Sequence, residues 1–163
     1  MYIESSYILM PQTYSDGNNI YNVDMMFAYF NIFRFPVEKI IIDDKLLRNL
    51  EFKGWGDPEK KIYYSPHEVL KNPKKYDEEY ARIKMADLKF PIIVHNDIIV
   101  DGVHRLCKAY MLEKKNIKAY RLTNKTIKKF LINSHGNHKI ANNITSYELI
   151  ELFFKRFSRR STK

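Results

Sequence analysis

A polar junction between two apolar stretches constrains the fold of this chain more than any other part of its sequence. Asp101-Gly102-Val103-His104-Arg105 follows the run from Pro91 to Val100 and precedes Leu106 to Leu112, whose apolar residues recur at helical spacing. The sequence therefore predicts a strand that opens into a helix, where unpaired N–H groups and the helix dipole can bind phosphate. A simpler interpretation stays open: Asp101-Gly102 caps the helix and Arg105 is a solvated first-turn residue.

The segments around this junction predict an α+β domain in which helices flank a small mixed sheet. Strands are expected at 37–42, 92–94, 98–100 and 117–122, with the middle two forming either a tight hairpin or one kinked strand. Gly54 to Pro58, which contains the only tryptophan, is predicted as a loop. Helices are predicted from Asn22 until Pro36 breaks the pattern, after Ser65-Pro66-His67-Glu68, from Asp77 along a face with Tyr80, Ile83 and Asp87, from Val103, from Lys125 to Asn133, and after Thr145-Ser146-Tyr147-Glu148.

The length of 163 residues suits one compact domain, and a composition of 45% hydrophobic and 14% aromatic residues is that of a globular protein. We divide the chain into an N-terminal extension packed on the core (1–36), a core (37–124), and C-terminal helices with a basic tail (125–163). Leu149, Leu152, Phe153 and Phe157 recur at helical spacing, which indicates a core face or the contact face of a homo-oligomer.

The formal net charge of +9 favours anionic partners such as nucleotides or nucleic acid. Lysines that could contact a nucleic-acid backbone are Lys114, Lys115, Lys118, Lys125, Lys128 and Lys129. Such lysines more often form a solvated face. Some of the net charge could also come from AT-rich coding, which by itself produces abundant Lys, Ile, Asn and Tyr.

Cysteine and hydropathy patterns predict a cytoplasmic protein in a reducing compartment that does not enter a membrane. Cys107 is the only cysteine, which excludes an intramolecular disulfide. No apolar run approaches the ~20 residues that span a bilayer, and the N-terminus lacks the pattern of a signal peptide. His135 and His138 are interpreted as a loop pair without metal, since zinc sites usually need three or four protein ligands.

Four segments, taken in order, resemble the ParB/sulfiredoxin superfamily across roughly residues 37 to 124. They are Ser65-Pro66-His67-Glu68, Phe90-Pro91-Ile92-Ile93-Val94, Val100-Asp101-Gly102-Val103-His104-Arg105 and Ile117-Lys118-Ala119-Tyr120. Sulfiredoxins carry their catalytic cysteine where this chain has Val103, so sulfinic acid reductase activity is not expected, and Cys107 is interpreted as a core residue. ParB proper binds CTP and continues into a helix-turn-helix domain, whereas only about forty residues follow Leu122 here.

The free serine kinases of that superfamily resemble the junction most closely, with an Asp-Gly-His-His-Arg motif that is matched except at Val103. The resemblance implies phosphoryl transfer from ATP or ADP to a small hydroxyl substrate with Mg²⁺. It implies Glu68 as general base and Asp101 as Mg²⁺ ligand, with His104 also catalytic. Gly102, Val103, His104 and Arg105 would hold the nucleotide. Glu68 has a structural alternative as the third residue of a capping box, and a ParB-like nucleic-acid-binding or nuclease-type protein is the alternative function.

Overall fold

The computed structural model describes residues 12–134 and 146–158. The strands are β1 Thr13–Ser15, β2 Asn19–Asn22, β3 Glu38–Ile41, β4 Trp55–Asp57, β5 Ile62–Tyr64, β6 Ile92–His95, β7 Ile98–Asp101, β8 Asn116–Leu122 and β9 Leu131–Ser134. The helices are α1 Val23–Ile32, α2 Asp44–Leu47, α3 Pro66–Lys71, α4 Asp77–Met85, α5 Val103–Met111, α6 Asn124–Ile127 and α7 Ser146–Phe157, with short 3₁₀ turns at Arg48–Leu50 and Lys128–Phe130.

The chain divides into two compact units. Residues 36–123 form one unit, and the two flanking segments together form the other. The predicted core of residues 37–124 differs from the first unit by one residue at each end. The N-terminal extension and the C-terminal segment were predicted as two separate regions, but they belong to a single unit.

A four-stranded mixed sheet organises the unit of residues 36–123, in the order β3-β8-β6-β7. β8 pairs antiparallel with β3 and parallel with β6, while β6 and β7 form an antiparallel hairpin. The parallel pair requires a crossover connection, and α5 provides it between β7 and β8. These elements confirm the predicted α+β class and the mixed sheet.

The hairpin between β6 and β7 places the junction. Asn96 and Asp97 form its two-residue turn with φ of +49° and +61°, a left-handed geometry that asparagine and aspartate tolerate. Ile93 pairs with Asp101 and Val94 pairs with Ile99, so Val100 is an extra residue and forms a β-bulge. A bulge shifts the alternation of side chains by one position, which re-aims Asp101 at the end of the strand.

Helices α3, α4 and α5 bury apolar side chains in one core cluster. Val69, Ile83 and Leu106 represent the three helices in that cluster, and each is fully buried. Lys108 of α5 also donates hydrogen bonds to the backbone carbonyls of Lys84 at 2.8 Å and Ala86 at 2.6 Å. The lysine thus satisfies carbonyls at the C-terminal end of α4 and holds the two helices together.

The other unit contains an antiparallel sheet in the order β1-β2-β9 and a set of packed aromatic rings. Asn22 caps α1 by accepting a hydrogen bond from the N–H of Met25 at 2.7 Å. Phe157 of α7 lies with its ring centroid 4.9 Å from that of Tyr29 and packs on Phe130, so this part of the predicted contact face belongs to the unit's own core. No helix within the described residues is long and apolar enough to cross a bilayer.

Three element predictions were wrong. Trp55–Asp57 is a strand that pairs antiparallel with Ile62–Tyr64 in a short hairpin. The glycines and Pro58 around it are typical of a loop, so the composition did not predict this strand. α4 begins after Tyr76 without a side-chain cap and ends at Met85, which excludes Asp87 from its face. The helix predicted from Lys125 to Asn133 ends in a 3₁₀ turn, and its last residues form β9 against β2. His135, His138 and Thr145 lie outside the described residues.

Candidate active site

Gly102 joins β7 to α5, which confirms the predicted strand-to-helix junction. Its φ is +106°, a region that favours glycine. A Cβ atom at this position would lie 2.6 Å from Cγ2 of the buried Ile92 and 2.9 Å from Nη2 of Arg105. Both the backbone and the surrounding space therefore require glycine. Because the N-cap residue has no capping side chain, it leaves the first-turn N–H groups of α5 to other acceptors.

Arg105 and Asp101 form an ion pair across the junction. Nη2 of Arg105 lies 2.8 Å from Oδ2 of Asp101, and the two side chains are 19% and 17% exposed. The simpler interpretation of Arg105 as a solvated residue is therefore wrong. The pair holds the guanidinium in place beside the start of α5, where its remaining N–H groups can meet an anion.

Asp101 does not fit the role of ligand to a resident magnesium ion. The guanidinium of Arg105 lies 2.8 Å from Oδ2 of Asp101 and offsets the charge of its carboxylate. The donor set of the junction suits an anion better than a cation.

His104 is held from two sides. Its ring stacks on Trp55 of β4, with centroids 4.6 Å apart and planes 18° apart. Its Nε2 lies 3.3 Å from Oε2 of Glu79 on α4. A ring restrained by stacking and by a carboxylate keeps one orientation, which is how a histidine is prepared for proton transfer.

Glu79 links His104 to Arg82, and sequence reasoning missed both α4 residues. Glu79 is only 8% exposed, and its Oε1 accepts a hydrogen bond from Nη1 of Arg82 at 2.7 Å. Buried glutamates are rare unless paired, and Glu79 has two partners, Arg82 and His104. The available signal was spacing: Glu79 precedes the core residue Ile83 by one helical turn, which puts a carboxylate on the buried face.

Two adjoining cavities border His104 and Arg82. The junction cavity, about 390 Å³, is also lined by Asp101, Gly102 and Arg105. The tryptophan cavity, about 600 Å³, is also lined by Trp55 and Glu79. Their charges differ. The junction cavity has two arginines against one carboxylate, whereas the tryptophan cavity has Asp57, Asp77, Glu78 and Glu79 against Lys75 and Arg82.

The structure brings together Asp101, Gly102, His104 and Arg105 of the predicted site residues, but places Glu68 elsewhere and directs the side chain of Val103 away from the site. Val103 packs against the hydrophobic core, and neither residue lines the two cavities. Glu68 completes a capping box: its Oε2 accepts from the N–H of Ser65 at 2.7 Å, and Oγ of Ser65 accepts from the N–H of Glu68 at 3.2 Å. The structural alternative for Glu68 is thus observed.

Replacing Glu68 by glutamine should remove a pH-dependent part of the stability. The pKa of the Glu68 carboxyl is lowered from its ordinary value of 4.5, chiefly because the N–H of Ser65 donates to it. Such a group stabilises the fold above its unfolded pKa, and that contribution is lost as the pH falls through the lowered folded value. Urea unfolding at several pH values should therefore show the difference between wild type and Glu68→Gln shrinking from about pH 6 to about pH 3. A difference that stays constant over this range would contradict the assignment.

Cys107 is a buried core residue, as the sequence predicts. Burial raises the pKa of its thiol to about 12, so the thiolate form needed for nucleophilic chemistry is scarce at neutral pH. The cysteine therefore takes no part in the site.

The predicted basic patch is partly engaged in local contacts. Nζ of Lys129 donates to the hydroxyl of Tyr29 at 3.2 Å and lies 5.2 Å from the centre of its ring. Lys125 and Lys128 are exposed, as are Lys114, Lys115 and Lys118 of the other unit. These lysines neither line the two cavities nor form part of the junction.

The junction cavity thus combines two guanidinium groups, a helix start and a restrained imidazole. These groups can bind an anion and exchange a proton beside it. Comparisons of the chain with protein-family models, with curated proteins and with solved structures found no match.

Proposed function

We propose that the chain binds a nucleotide by its phosphates in the junction cavity and transfers a phosphoryl group to a small hydroxyl acceptor. The observation that carries the proposal is the convergence of Arg82, His104 and Arg105 on one cavity at the start of α5. Phosphoryl transfer depends mainly on positioning and on neutralising phosphate charge, and these groups can supply both. The resemblance of the junction to free serine kinases supports the same reaction.

The fold supports the assignment at the level of element order. A hairpin, a glycine junction, a helix and a parallel returning strand follow one another over β6, β7, α5 and β8. This order agrees with the resemblance to the ParB/sulfiredoxin superfamily, and we propose that residues 36–123 adopt that fold.

In this proposal Arg105 and the first-turn N–H groups of α5 hold the phosphates. Arg82 can add N–H groups from the side, because its side chain is 68% exposed and Glu79 fixes the guanidinium through Nη1 at 2.7 Å. ATP and ADP are the proposed donors, and CTP is included because ParB proteins bind it. Since Asp101 is paired with Arg105, we assign no step to a protein-held metal, and the assays compare each nucleotide with and without Mg²⁺.

To test this function, the protein is incubated with ATP, ADP or CTP and a pool of small alcohols, and the products are followed by ³¹P NMR. We expect a new phosphomonoester signal, distinct from that of AMP, that grows with loss of the donor nucleotide. Nucleotide binding without any phosphomonoester would contradict phosphoryl transfer while leaving nucleotide binding intact. Loss of the donor with the shortened nucleotide and inorganic phosphate as the only products would indicate hydrolysis and would also contradict transfer.

A second function, nucleic-acid binding, is favoured by one observation on the mixed sheet. Lys39 of β3 lies directly opposite Lys118 of β8, and both side chains are exposed. Like charges that face each other across a strand pair are destabilising, and a bound polyanion would offset this repulsion. Binding to DNA that weakens steeply with salt and is lost in Lys39→Ala/Lys118→Ala, with no nucleotide turnover, would favour this function over the kinase.

A further inference from the structure

The geometry points to His104 as the general base for the acceptor hydroxyl and to Glu79 as the residue that positions it. This inference rests on the proposed function and assigns the base to a residue other than Glu68. The carboxylate of Glu68 is engaged in the capping box and lines neither cavity.

The hydrogen-bond chemistry determines which nitrogen of His104 is available. The carboxylate of Glu79 is paired with Arg82, and an ionised carboxylate can only accept hydrogen bonds. Nε2 of His104, 3.3 Å from Glu79, must therefore carry the proton in that contact. This leaves Nδ1 as the basic nitrogen, and the stack on Trp55 restrains rotation of the ring.

The position of His104 suits a base between donor and acceptor. Its ring borders the junction cavity, assigned to the phosphates, and the tryptophan cavity, assigned to the acceptor. The charged side chains that line these cavities around it are Asp57, Lys75, Asp77, Glu78, Glu79 and Arg82 on the acceptor side, and Arg82, Asp101 and Arg105 on the phosphate side. The excess of carboxylates on the acceptor side favours an acceptor without negative charge.

The step balances without an oxidant or reductant. The acceptor hydroxyl gives its proton to Nδ1 of His104, and its oxygen forms a bond to the terminal phosphorus of the nucleotide. The bridging P–O bond breaks, and its electron pair leaves with the shortened nucleotide. Glu79 stabilises the imidazolium that forms, and His104 then releases the proton to water.

The test measures turnover of the full chain with ATP and its best acceptor in three variants. Glu79→Gln and His104→Gln should each lower kcat by about 10²- to 10⁴-fold, the range of general base catalysis. KM for ATP should rise by a much smaller factor, because Arg105 and the first-turn N–H groups of α5 still hold the phosphates. Glu51→Gln removes an exposed carboxylate outside the site and should leave kcat unchanged. In the wild type kcat should fall at acidic pH, because a protonated imidazole cannot accept a proton, and this limb should disappear in His104→Gln.

The outcomes separate this inference from the proposed function. Wild-type turnover that persists in Glu79→Gln and His104→Gln overturns the roles of His104 and Glu79 alone. Nucleotide binding with no wild-type turnover overturns phosphoryl transfer and the base role with it. If Glu79→Gln fails to fold, His104→Gln decides the base role, since its side chain is 35% exposed. The positioning role has an independent readout: ¹⁵N NMR of the imidazole should show the Nε2–H tautomer in the wild type and a tautomer mixture in Glu79→Gln.

Discussion

Replacing Gly102 by alanine is expected to lower the free energy of unfolding by about 2–5 kcal/mol. The left-handed backbone costs a residue with a Cβ about 1–2 kcal/mol. The added atom would also meet Cγ2 of Ile92 at 2.6 Å, and forcing an atom into a packed core costs about a further 1–3 kcal/mol. Ile92 is fully buried in the core, so it has little room to move. Urea unfolding measures the change directly.

Gly17 provides a matched control for this change. Its φ of +99° is similar, but a Cβ there would have no atom within 4 Å. Gly17→Ala should therefore lower the free energy of unfolding only by the cost of the left-handed backbone, about 1–2 kcal/mol. Equal losses in the two variants would show that Ile92 does not confine the junction, contrary to the structure.

Replacing Arg105 by alanine is expected to weaken nucleotide binding by about 10- to 100-fold. Hydrogen bonds to charged groups contribute about 1.5–3 kcal/mol, and each 1.4 kcal/mol is a factor of ten in Kd. The change also leaves the carboxylate of Asp101 without its guanidinium partner beside the phosphates. Arg105→Lys should restore little of the affinity, because an ammonium group cannot reproduce the planar contacts of arginine. Isothermal titration calorimetry with ATP gives the Kd values.

Arg121→Ala separates a site effect from an effect of net charge. Arg121 is about half exposed and pairs with Glu38 at 2.9 Å on the mixed sheet. Arg121→Ala changes the net charge by the same amount as Arg105→Ala. An exposed charge outside the site is, however, largely screened at physiological salt. We expect the Kd for ATP to stay within about twofold of wild type. Similar weakening in Arg121→Ala and Arg105→Ala would contradict a specific phosphate site.

The sequence was most informative where local signals and tertiary contacts agree. Ser65-Pro66-His67-Glu68 carries a complete capping box, and α3 begins at Pro66 as expected. The junction was predictable for a similar reason, because an apolar strand, a glycine and an amphipathic helix follow one another directly. Such features depend on residues that are close in sequence, so the order of residues along the chain is enough to predict them.

Features set by distant partners could not be predicted in the same way. β9 forms because residues after the 3₁₀ turn pair with β2, although their local sequence favours a helix. The bulge at Val100 leaves no mark in the composition of β7, yet it directs Asp101. Tertiary pairing overrides local propensity in both cases.

The candidate site was half predictable. Asp101, Gly102, His104 and Arg105 are close in sequence, so a motif can identify them together. Trp55 and Glu79 reach His104 from two other elements, and no spacing in the sequence connects them to α5. Glu68 shows the opposite error, since a glutamate at a helix start resembles a catalytic residue while its hydrogen bonds serve the cap.

The central claim is that nucleotide phosphates bind at the start of α5, and ¹H–¹⁵N NMR titration tests it most directly. Addition of ATP should produce its largest shifts at the backbone amides of residues 102–105 and at the side chain of Arg105, and inorganic phosphate should shift the same amides more weakly. The indole N–H of Trp55 should respond to the acceptor rather than to phosphate. Shifts centred on Lys114, Lys115 and Lys118, or no shift at residues 102–105 when ATP is bound, would contradict the claim.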